Sequence, residues 1–273
     1  MASNWKSKRV LIAGGSSGLG LAIARRLAEQ GAELVLVARD AERLARAAEM
    51  VIELGSTSVE TICANVCEDN SIRTGLASFS SGERTVDLVV NAVGQSDRGQ
   101  LMQLETGDLV SMFETNVLSA FHVAKYCRAA LRKSSGTIVL IGSLATRLAP
   151  AGLGGYAVTK FPLAAMRQQL SCELAGESIH VMLVCPGPIQ REDAGTRYQE
   201  RIAQRGLSEG VSKPGAGARV TAIDPNWLAN RILRGVERRE REIVVPWKAR
   251  IAIFAASFSP RLGDWMLKKS MSQ

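Results

Sequence analysis

The chain has 273 residues, of which 46% are hydrophobic and 22% charged, so it can bury a core and is not a disordered chain. Ten basic and four acidic residues lie between positions 231 and 269, which predicts a local basic feature and no nucleic-acid-binding surface. Five scattered cysteines and two histidines predict reduced thiols, no metal site and a reducing, cytoplasmic compartment. No apolar run approaches the ~20 residues of a membrane span.

The first elements predict a turn that binds phosphate. Residues 10–13 form a short apolar run typical of a strand, and a glycine-rich turn from Gly14 to Gly20 follows at once. Apolar residues then recur at helical spacing, and Gly31 ends the predicted helix. In this context glycines let backbone amides approach a pyrophosphate, and the helix start adds a positive dipole end. A merely flexible turn is the alternative, which the spacing of the glycines disfavours.

The end of the second predicted strand indicates which cofactor is preferred. Residues 34–37 form this strand, and Ala38 and Arg39 follow it. An acid at this point binds the ribose 2′-hydroxyl of NAD, whereas an arginine suits the 2′-phosphate of NADP. Asp40 is interpreted as the N-cap of a helix over residues 41–54. We therefore predict NADP(H), with a solvated, structural arginine as the alternative.

The remaining chain alternates between strands and helices. Strands are predicted at 59–64, 86–90, 137–141, 179–184 and 242–246, and helices at 70–79, 109–131, 156–175 and 226–236. This alternation predicts an α/β fold, a Rossmann-type doubly wound parallel sheet in a single domain. Ligands bind at the carboxyl ends of such strands. One sheet edge is therefore expected to carry Gly14, Arg39, Asn91, Ser143 and Pro186.

A hydroxyl, a phenol and an ammonium group are predicted to meet at this edge. Ser143 follows the fifth strand, and Tyr156 and Lys160 lie one helical turn apart on one face if a helix begins near Tyr156. An ammonium group lowers the pKa of a nearby phenol, and such a phenol suits proton transfer to or from an alcohol or ketone oxygen. Taken alone, the Tyr–Lys spacing is common and an incidental surface pair is the alternative.

The predicted organisation is one dinucleotide-binding and catalytic domain at 1–246, with a lid at about 189–220 and an amphipathic helical extension at 247–273. In the extension, Trp247 and Trp265 bracket an apolar run that basic residues flank. This composition is typical of a helix lying on anionic lipid, so peripheral membrane contact is one hypothesis. Packing on a partner subunit or under the lid is the alternative.

Together these residues resemble the short-chain dehydrogenase/reductase family over about residues 8–190. The matching motifs are Gly14-x-x-x-Gly18-x-Gly20, Asn91-Ala-Val-Gly94, Asn116, Ser143, Tyr156-x-x-x-Lys160 and Pro186-Gly187. The resemblance implies that Tyr156 is the catalytic acid/base and that Lys160 lowers its pKa and binds the nicotinamide ribose. It further implies that Ser143 orients the substrate oxygen and that Asn116 holds a water in a proton relay.

The resemblance also implies which residues contact the cofactor. Asn65 stands where the family commonly has an aspartate that contacts adenine, and Ala92 stands at a second-asparagine position. The expected cofactor site comprises Gly14, Ser16, Ser17, Gly18, Leu19, Gly20, Arg39, Asn65, Val66, Asn91, Ala92, Gly94, Tyr156, Lys160, Pro186, Gly187 and Ile189.

The sequence therefore predicts an oxidoreductase that transfers a hydride between NADP(H) and a small-molecule ketone or secondary alcohol. An apolar or lipid-like substrate and the reductive direction are expected. A non-catalytic nucleotide-sensing protein, or an NAD-dependent alcohol dehydrogenase or epimerase on the same scaffold, is the alternative. A homodimer or homotetramer is expected, because part of the apolar surface of the helices around Asn116 and after Tyr156 covers the sheet and the surplus forms an interface. The residues concerned are Phe113, Val117, Phe121, Tyr126, Phe161, Leu163, Met166 and Leu170. Apolar residues at 144–153 could line the substrate pocket or pack beneath the lid.

Overall fold

The computed structural model describes residues 5–190 and 221–271 of the chain. Seven strands form one sheet in the order β3-β2-β1-β4-β5-β6-β7, and every neighbouring pair is parallel. The strands are β1 Arg9–Ala13, β2 Glu33–Ala38, β3 Ser58–Cys63, β4 Leu88–Asn91, β5 Thr137–Ile141, β6 His180–Pro186 and β7 Glu242–Val245. The predicted single-domain, Rossmann-type parallel sheet is confirmed.

Helices connect successive strands. Those described are α1 Gly18–Ala28, α2 Ala41–Glu53, α3 Asp69–Gly75, α4 Ala77–Ser80, α5 Thr106–Phe113, α6 Ser119–Ser134, α7 Tyr156–Lys160, α8 Pro162–Glu173, α9 Pro225–Glu237, α10 Ala249–Phe258 and α11 Pro260–Met271. The last two form the predicted C-terminal helical extension. No helix in the described part of the chain is long and apolar enough to cross a membrane.

The sheet is covered on both faces because successive strand residues point to opposite sides. Val10 and Ile12 of β1 pack in a core with residues of α1, α2 and α9. Leu11 and Ala13 pack in a second core with residues of α3, α4, α6 and α8. Since fully burying a side chain such as leucine contributes about 1.5–3 kcal/mol, the apolar residues on both faces of the strands stabilise the sheet.

Three predicted helices are interrupted in the structure. The helix predicted at 109–131 contains a π-helical segment, Glu114–Leu118, between α5 and α6. The helix predicted at 156–175 breaks before Pro162, which has no N–H to donate to the preceding turn. The helix predicted at 70–79 breaks at Leu76, whose φ of −106° and ψ of 21° leave the helical region. Apolar periodicity continues across all three breaks, so it does not reveal them.

The parallel register places the carboxyl ends of the strands at one edge, as the sequence predicts. Most of the predicted lid lies outside the described residues. At its base, Ile189 forms a parallel bridge with Ile223. The Ile223 N–H donates to the carbonyl of Pro188 at 2.8 Å, so residues 188–190 and residue 223 lie side by side. The predicted domain and tail boundaries stay predictions.

Candidate active site

The glycine turn after β1 leaves room for an anion at the start of α1. A Cβ on Gly18, whose φ is +52°, would meet nothing within 4 Å. A Cβ on Gly20 would lie 2.2 Å from the carbonyl oxygen of Gly14, so that position excludes any side chain. Ser17 is the N-cap of α1, and its hydroxyl accepts no hydrogen bond from the helix. An uncapped helix start beside open space fits a pyrophosphate.

The end of β2 carries an exposed cation. Asp40 caps α2 by accepting a hydrogen bond from the N–H of Arg43 at 3.0 Å, as predicted. Its carboxylate also pairs with the Arg43 guanidinium at 3.2 Å. Arg39 is exposed and makes no ion pair within residues 5–190 and 221–271. The geometry therefore leaves the Arg39 guanidinium able to meet a phosphate.

The predicted adenine contact, Asn65, lies in the loop after β3. Its Oδ1 accepts from the N–H of Cys67 at 3.2 Å, and its Nδ2 donates to Glu68 at 2.6 Å. The side-chain amide retains one donor and one lone pair for a base edge. The next residue, Val66, is held through its carbonyl by His122 Nδ1 at 3.0 Å. This loop is thus ordered by local hydrogen bonds.

Lys160 connects α7, which begins at Tyr156, to β5, which leads to Ser143. The helix α7 begins at Tyr156, so Lys160 follows one turn later as the spacing predicts. The lysine is 3% exposed, and its Nζ donates to the carbonyl of Ile141 at 3.1 Å. Ile141 is the last residue of β5, two positions before Ser143. A buried ammonium group thereby joins the elements that carry the phenol and the hydroxyl.

Asn116 lies in the π-helical segment and is fully buried. Its Nδ2 donates to the carbonyl of Gln95 and to Thr159 Oγ1, both at 2.9 Å. Its Oδ1 accepts from the Gln95 N–H at 2.9 Å. Both side-chain N–H donors are therefore used within the protein, and a water can bind only at an oxygen of Asn116. π-Helical segments of this kind occur frequently at functional sites.

Gly94 separates two of these polar groups. A Cβ at this position would lie 3.0 Å from Lys160 Nζ and 3.2 Å from Asn116 Oδ1. The ammonium group and the amide oxygen therefore approach the same small volume beside the glycine. Such a volume, with a donor and an acceptor at its border, suits a proton-relay water.

Ser143 is held in a short 3₁₀ turn, Leu144–Thr146, that begins directly after it. Its Oγ accepts a hydrogen bond from the Ala145 N–H at 3.1 Å, and its own N–H donates to Thr146 Oγ1 at 2.9 Å. The serine hydroxyl proton is not used in these contacts. It can therefore be donated to a substrate oxygen.

Polar residues of β6 and β7 contact this turn through Arg147. Arg147, at the end of the turn, pairs with Glu242 of β7 through two nitrogens at 2.9 Å. Cys185 Sγ lies 3.7 Å from the same carboxylate. Burial is the main cause that raises the pKa of the Cys185 thiol to about 12, so it stays protonated.

The other predicted cofactor residues lie along the same edge. Asn91 ends β4 and donates to Ser119 Oγ at 3.2 Å, while its buried Oδ1 has no hydrogen-bond partner among the described residues. Ala92 donates its N–H to the carbonyl of Ala13 at 2.9 Å. Gly187, which follows β6, donates its N–H to the carbonyl of Val245 at 2.7 Å. An orphaned amide oxygen and the open glycine turn fit a dinucleotide at this edge.

Several site residues were not predicted from the sequence. Gln95 and Thr159 hold Asn116, and both lie next to residues of recognised motifs. Thr146 holds Ser143, and its spacing of three from a serine was the available signal. Asp97 is fully buried against Gly154, where a Cβ would lie 2.3 Å from its Oδ2. No local sequence pattern indicated that contact.

Known proteins are similar to this chain in sequence and in fold. A family model described as short chain dehydrogenase matches residues 8–201. The granaticin polyketide synthase putative ketoacyl reductase 1 of Streptomyces violaceoruber is 34% identical over 197 residues, 71% of this chain and 70% of that protein. The 11-beta-hydroxysteroid dehydrogenase 1A of Arabidopsis thaliana is 27% identical over 267 residues, 97% of this chain and 75% of that protein.

One solved structure with the same fold is L-sorbose reductase from Gluconobacter frateurii, complexed with NADPH and L-sorbose. It matches with a TM-score of 0.76 and 24% identity, over 90% of this chain and 97% of that chain. The family match at 8–201 includes the glycine turn and the Ser143, Tyr156 and Lys160 positions. On this match the chain belongs to the short-chain dehydrogenase/reductase family and is an oxidoreductase that uses a nicotinamide cofactor.

Proposed function

We propose that the protein is an NADP(H)-dependent carbonyl reductase that acts on an apolar or lipid-like ketone in the reductive direction. The observation that carries this proposal is the hydrogen bond from buried Lys160 to the carbonyl of Ile141. It holds the Tyr156 helix against the strand that leads to Ser143. A phenol and a hydroxyl are thereby available for one substrate oxygen.

The proposed chemistry divides between cofactor and protein. When bound, the cofactor supplies the hydride that reaches the carbonyl carbon. Ser143 donates a hydrogen bond to the carbonyl oxygen, and Tyr156 donates a hydrogen bond and then its proton as that oxygen gains negative charge. Lys160 stabilises the resulting phenolate. A water beside Gly94 and the Asn116 oxygen then passes a proton to the Tyr156 phenolate.

The NADP(H) preference is supported by Arg39, an exposed guanidinium at the end of β2. The residue before it is Ala38, so no carboxylate is present there to bind a ribose 2′-hydroxyl. The similar L-sorbose reductase fold was solved with NADPH. We propose that Arg39 binds the 2′-phosphate.

An apolar substrate is supported by side chains on two neighbouring loops. Gly99 and Leu153 form a bridge that joins the loop after β4 to the loop before α7. Leu153 is buried against Ala145 and Ala157, with Tyr156 packed beside them. On the other loop, Leu101 and Met102 are exposed. Apolar groups thus lie beside the proposed proton donor, as a lipid-like ketone requires.

We also propose a cytoplasmic homodimer or homotetramer. Of the apolar residues predicted to form a subunit interface, Val117, Tyr126 and Leu163 are buried within the chain. Phe113, Phe121 and Phe161 are each between 43% and 45% exposed. These three side chains supply the surface of a two-fold contact. Light scattering at micromolar concentration that finds only a monomer would contradict this part.

We further propose peripheral membrane contact by the C-terminal extension.

The test of the function uses NADPH carrying deuterium at C4 and a panel of water-soluble and lipid-like ketones. Deuterium in the alcohol product, with NADPH preferred over NADH, is the expected result. Nucleotide binding without turnover of any ketone would favour the nucleotide-sensing alternative. Equal use of NADH would favour the NAD-dependent alternative.

A further inference from the structure

The C-terminal extension is a helical hairpin with an inner and an outer side. Ser259 separates α10 from α11, and the N–H of Gly263 donates to its carbonyl at 3.0 Å. The helices touch through small residues, because a Cβ on Gly263 would lie 3.0 Å from the Cβ of Ala256. This close crossing orients the larger side chains of α10 away from α11.

Those side chains form one exposed apolar stripe. Trp247, Ile251, Phe254 and Phe258 are spaced by four, three and four residues, which places them along one side of α10 and the turn before it. They are 65%, 62%, 73% and 84% exposed, and no residue of α10 is buried. Four neighbouring large apolar side chains exposed to this degree mark an interaction surface.

The charges around the stripe indicate what it contacts. Residues 247–273 carry five basic side chains and one acidic side chain, Asp264. Lys248 and Arg250 adjoin the stripe, and Arg261 is exposed on α11 near the exposed Trp265. A two-fold contact between copies of this surface would bring like charges together. An anionic lipid surface complements both the basic groups and the apolar stripe.

The hairpin leaves the sheet beside the active site. Val245, the last residue of β7, pairs with Pro186 and accepts a hydrogen bond from the Gly187 N–H at 2.7 Å. Pro186 and Gly187 lie at the carboxyl edge that carries the catalytic cluster. Trp247 follows Val245 by two residues, so the stripe begins at this edge.

We propose that the stripe Trp247, Ile251, Phe254 and Phe258 is a docking surface for an anionic phospholipid bilayer. Its apolar side chains enter the headgroup boundary, and the basic groups contact lipid phosphates. Docking brings the substrate entrance close to the bilayer, so the enzyme takes ketones dissolved in the membrane. This last consequence rests on the proposed carbonyl reductase function, whereas docking itself does not.

The test compares co-sedimentation with phosphatidylcholine vesicles containing or lacking phosphatidylglycerol. The intact protein is expected to bind only the anionic vesicles, and high salt weakens binding. The double variant Phe254→Ser/Phe258→Ser is expected to lose roughly tenfold or more in affinity, as is Lys248→Gln/Arg250→Gln. Ile52→Ser, which alters a 56% exposed apolar residue of α2, is the matched control and binds normally.

A second measurement reports directly whether the tryptophans of the C-terminal extension lie in the bilayer. Brominated lipid is expected to quench tryptophan fluorescence of the intact protein, and Trp247→Phe with Trp265→Phe removes most of that quenching. Unchanged vesicle binding by the Phe254/Phe258 double variant would overturn the proposal. The proposal would also be overturned if the intact protein binds no vesicles and the double variant loses the oligomeric state of the intact protein. The stripe would then be a subunit contact.

The docking test is independent of the proposed carbonyl reductase function. The Phe254→Ser/Phe258→Ser variant is expected to reduce water-soluble ketones at the normal rate and membrane-dissolved ketones more slowly. If no ketone is reduced by any form, the proposed function fails while vesicle binding stands. Equal effects on both ketone classes would contradict delivery from the membrane.

Discussion

Thr146 accepts a hydrogen bond from the backbone N–H of Ser143 at 2.9 Å, and Ser143 Oγ accepts one from the Ala145 N–H at 3.1 Å. The turn that contains these bonds has a capping box around the proposed catalytic hydroxyl. The arrangement leaves the serine proton for the substrate. We therefore propose that Thr146 is a positioning residue that acts through Ser143.

Thr146→Val keeps the side-chain shape and removes the oxygen that holds Ser143. We expect kcat to fall roughly tenfold or more, because a displacement of about 1 Å can cost up to 10²-fold. Cofactor affinity is expected to stay unchanged, and Thr146→Ser restores the rate. In a Ser143→Ala background, Thr146→Val is expected to add little. Full additivity of the two effects in steady-state kinetics would show a separate structural role.

Gly94→Ala tests the small volume shared by Lys160 and Asn116. The added methyl group would lie 3.0 Å from the Lys160 ammonium nitrogen, so the lysine must move. We expect kcat/KM to fall roughly 10- to 100-fold with the fold intact. Gly107→Ala is the matched control, since a Cβ there meets nothing within 4 Å. Equal activity of the two variants would exclude a relay water at this point.

Tyr156→Phe removes the proposed proton donor and preserves ring packing. Cofactor affinity is expected to stay within a few-fold, while kcat falls by at least about 10²–10⁴. Stopped-flow measurement of NADPH oxidation and a thermal melt check the two expectations. Near-normal turnover by this variant would contradict the role assigned to Tyr156.

Arg39→Ala removes the proposed partner of the 2′-phosphate. A charge-assisted contact contributes about 1.5–3 kcal/mol, so NADPH affinity is expected to fall roughly tenfold or more. NADH affinity is expected to change little, since NADH has no 2′-phosphate. Calorimetric titration with both cofactors checks this. If NADH weakens as much as NADPH, Arg39 has a structural role.

His180, at the start of β6, predicts a pH dependence of stability. Burial lowers the pKa of this imidazole from 6.5, and its Nε2 lies 3.0 Å from the Glu240 carbonyl oxygen. The unfolded chain therefore takes up the proton at higher pH than the folded chain does. Its contribution to the free energy of unfolding is complete above pH 6.5 and is lost as the pH falls towards the lowered pKa.

Urea unfolding at about pH 7.5 and about pH 5.5 measures this loss. His180→Gln keeps a donor for the Glu240 carbonyl and does not titrate, so its stability is expected to change less between the two pH values. Equal losses of unfolding free energy in the intact protein and in His180→Gln would mean that other groups dominate the pH dependence in this range.

Local patterns predicted much of the fold but not the interruptions of its helices. Asp40 was identified as a helix cap from its neighbours alone, and its bond to the Arg43 N–H agrees. By contrast, the π-helical segment around Asn116 has no period of its own in the sequence. It is associated with the buried amide contacts to Gln95 and Thr159, which lie 21 and 43 positions away.

The sequence by itself determined the parallel sheet and the edge at which the site lies. Buried apolar strands, glycine turns and helix spacing are local signals, and parallel connection sends every strand end to the same edge. Only the tertiary structure decided that Lys160 joins the Ile141 carbonyl, that Thr146 holds Ser143, and that α10 leaves its apolar stripe exposed. Hydrogen-bond partners and burial depend on residues distant in the chain, and no local period encodes which of them meet.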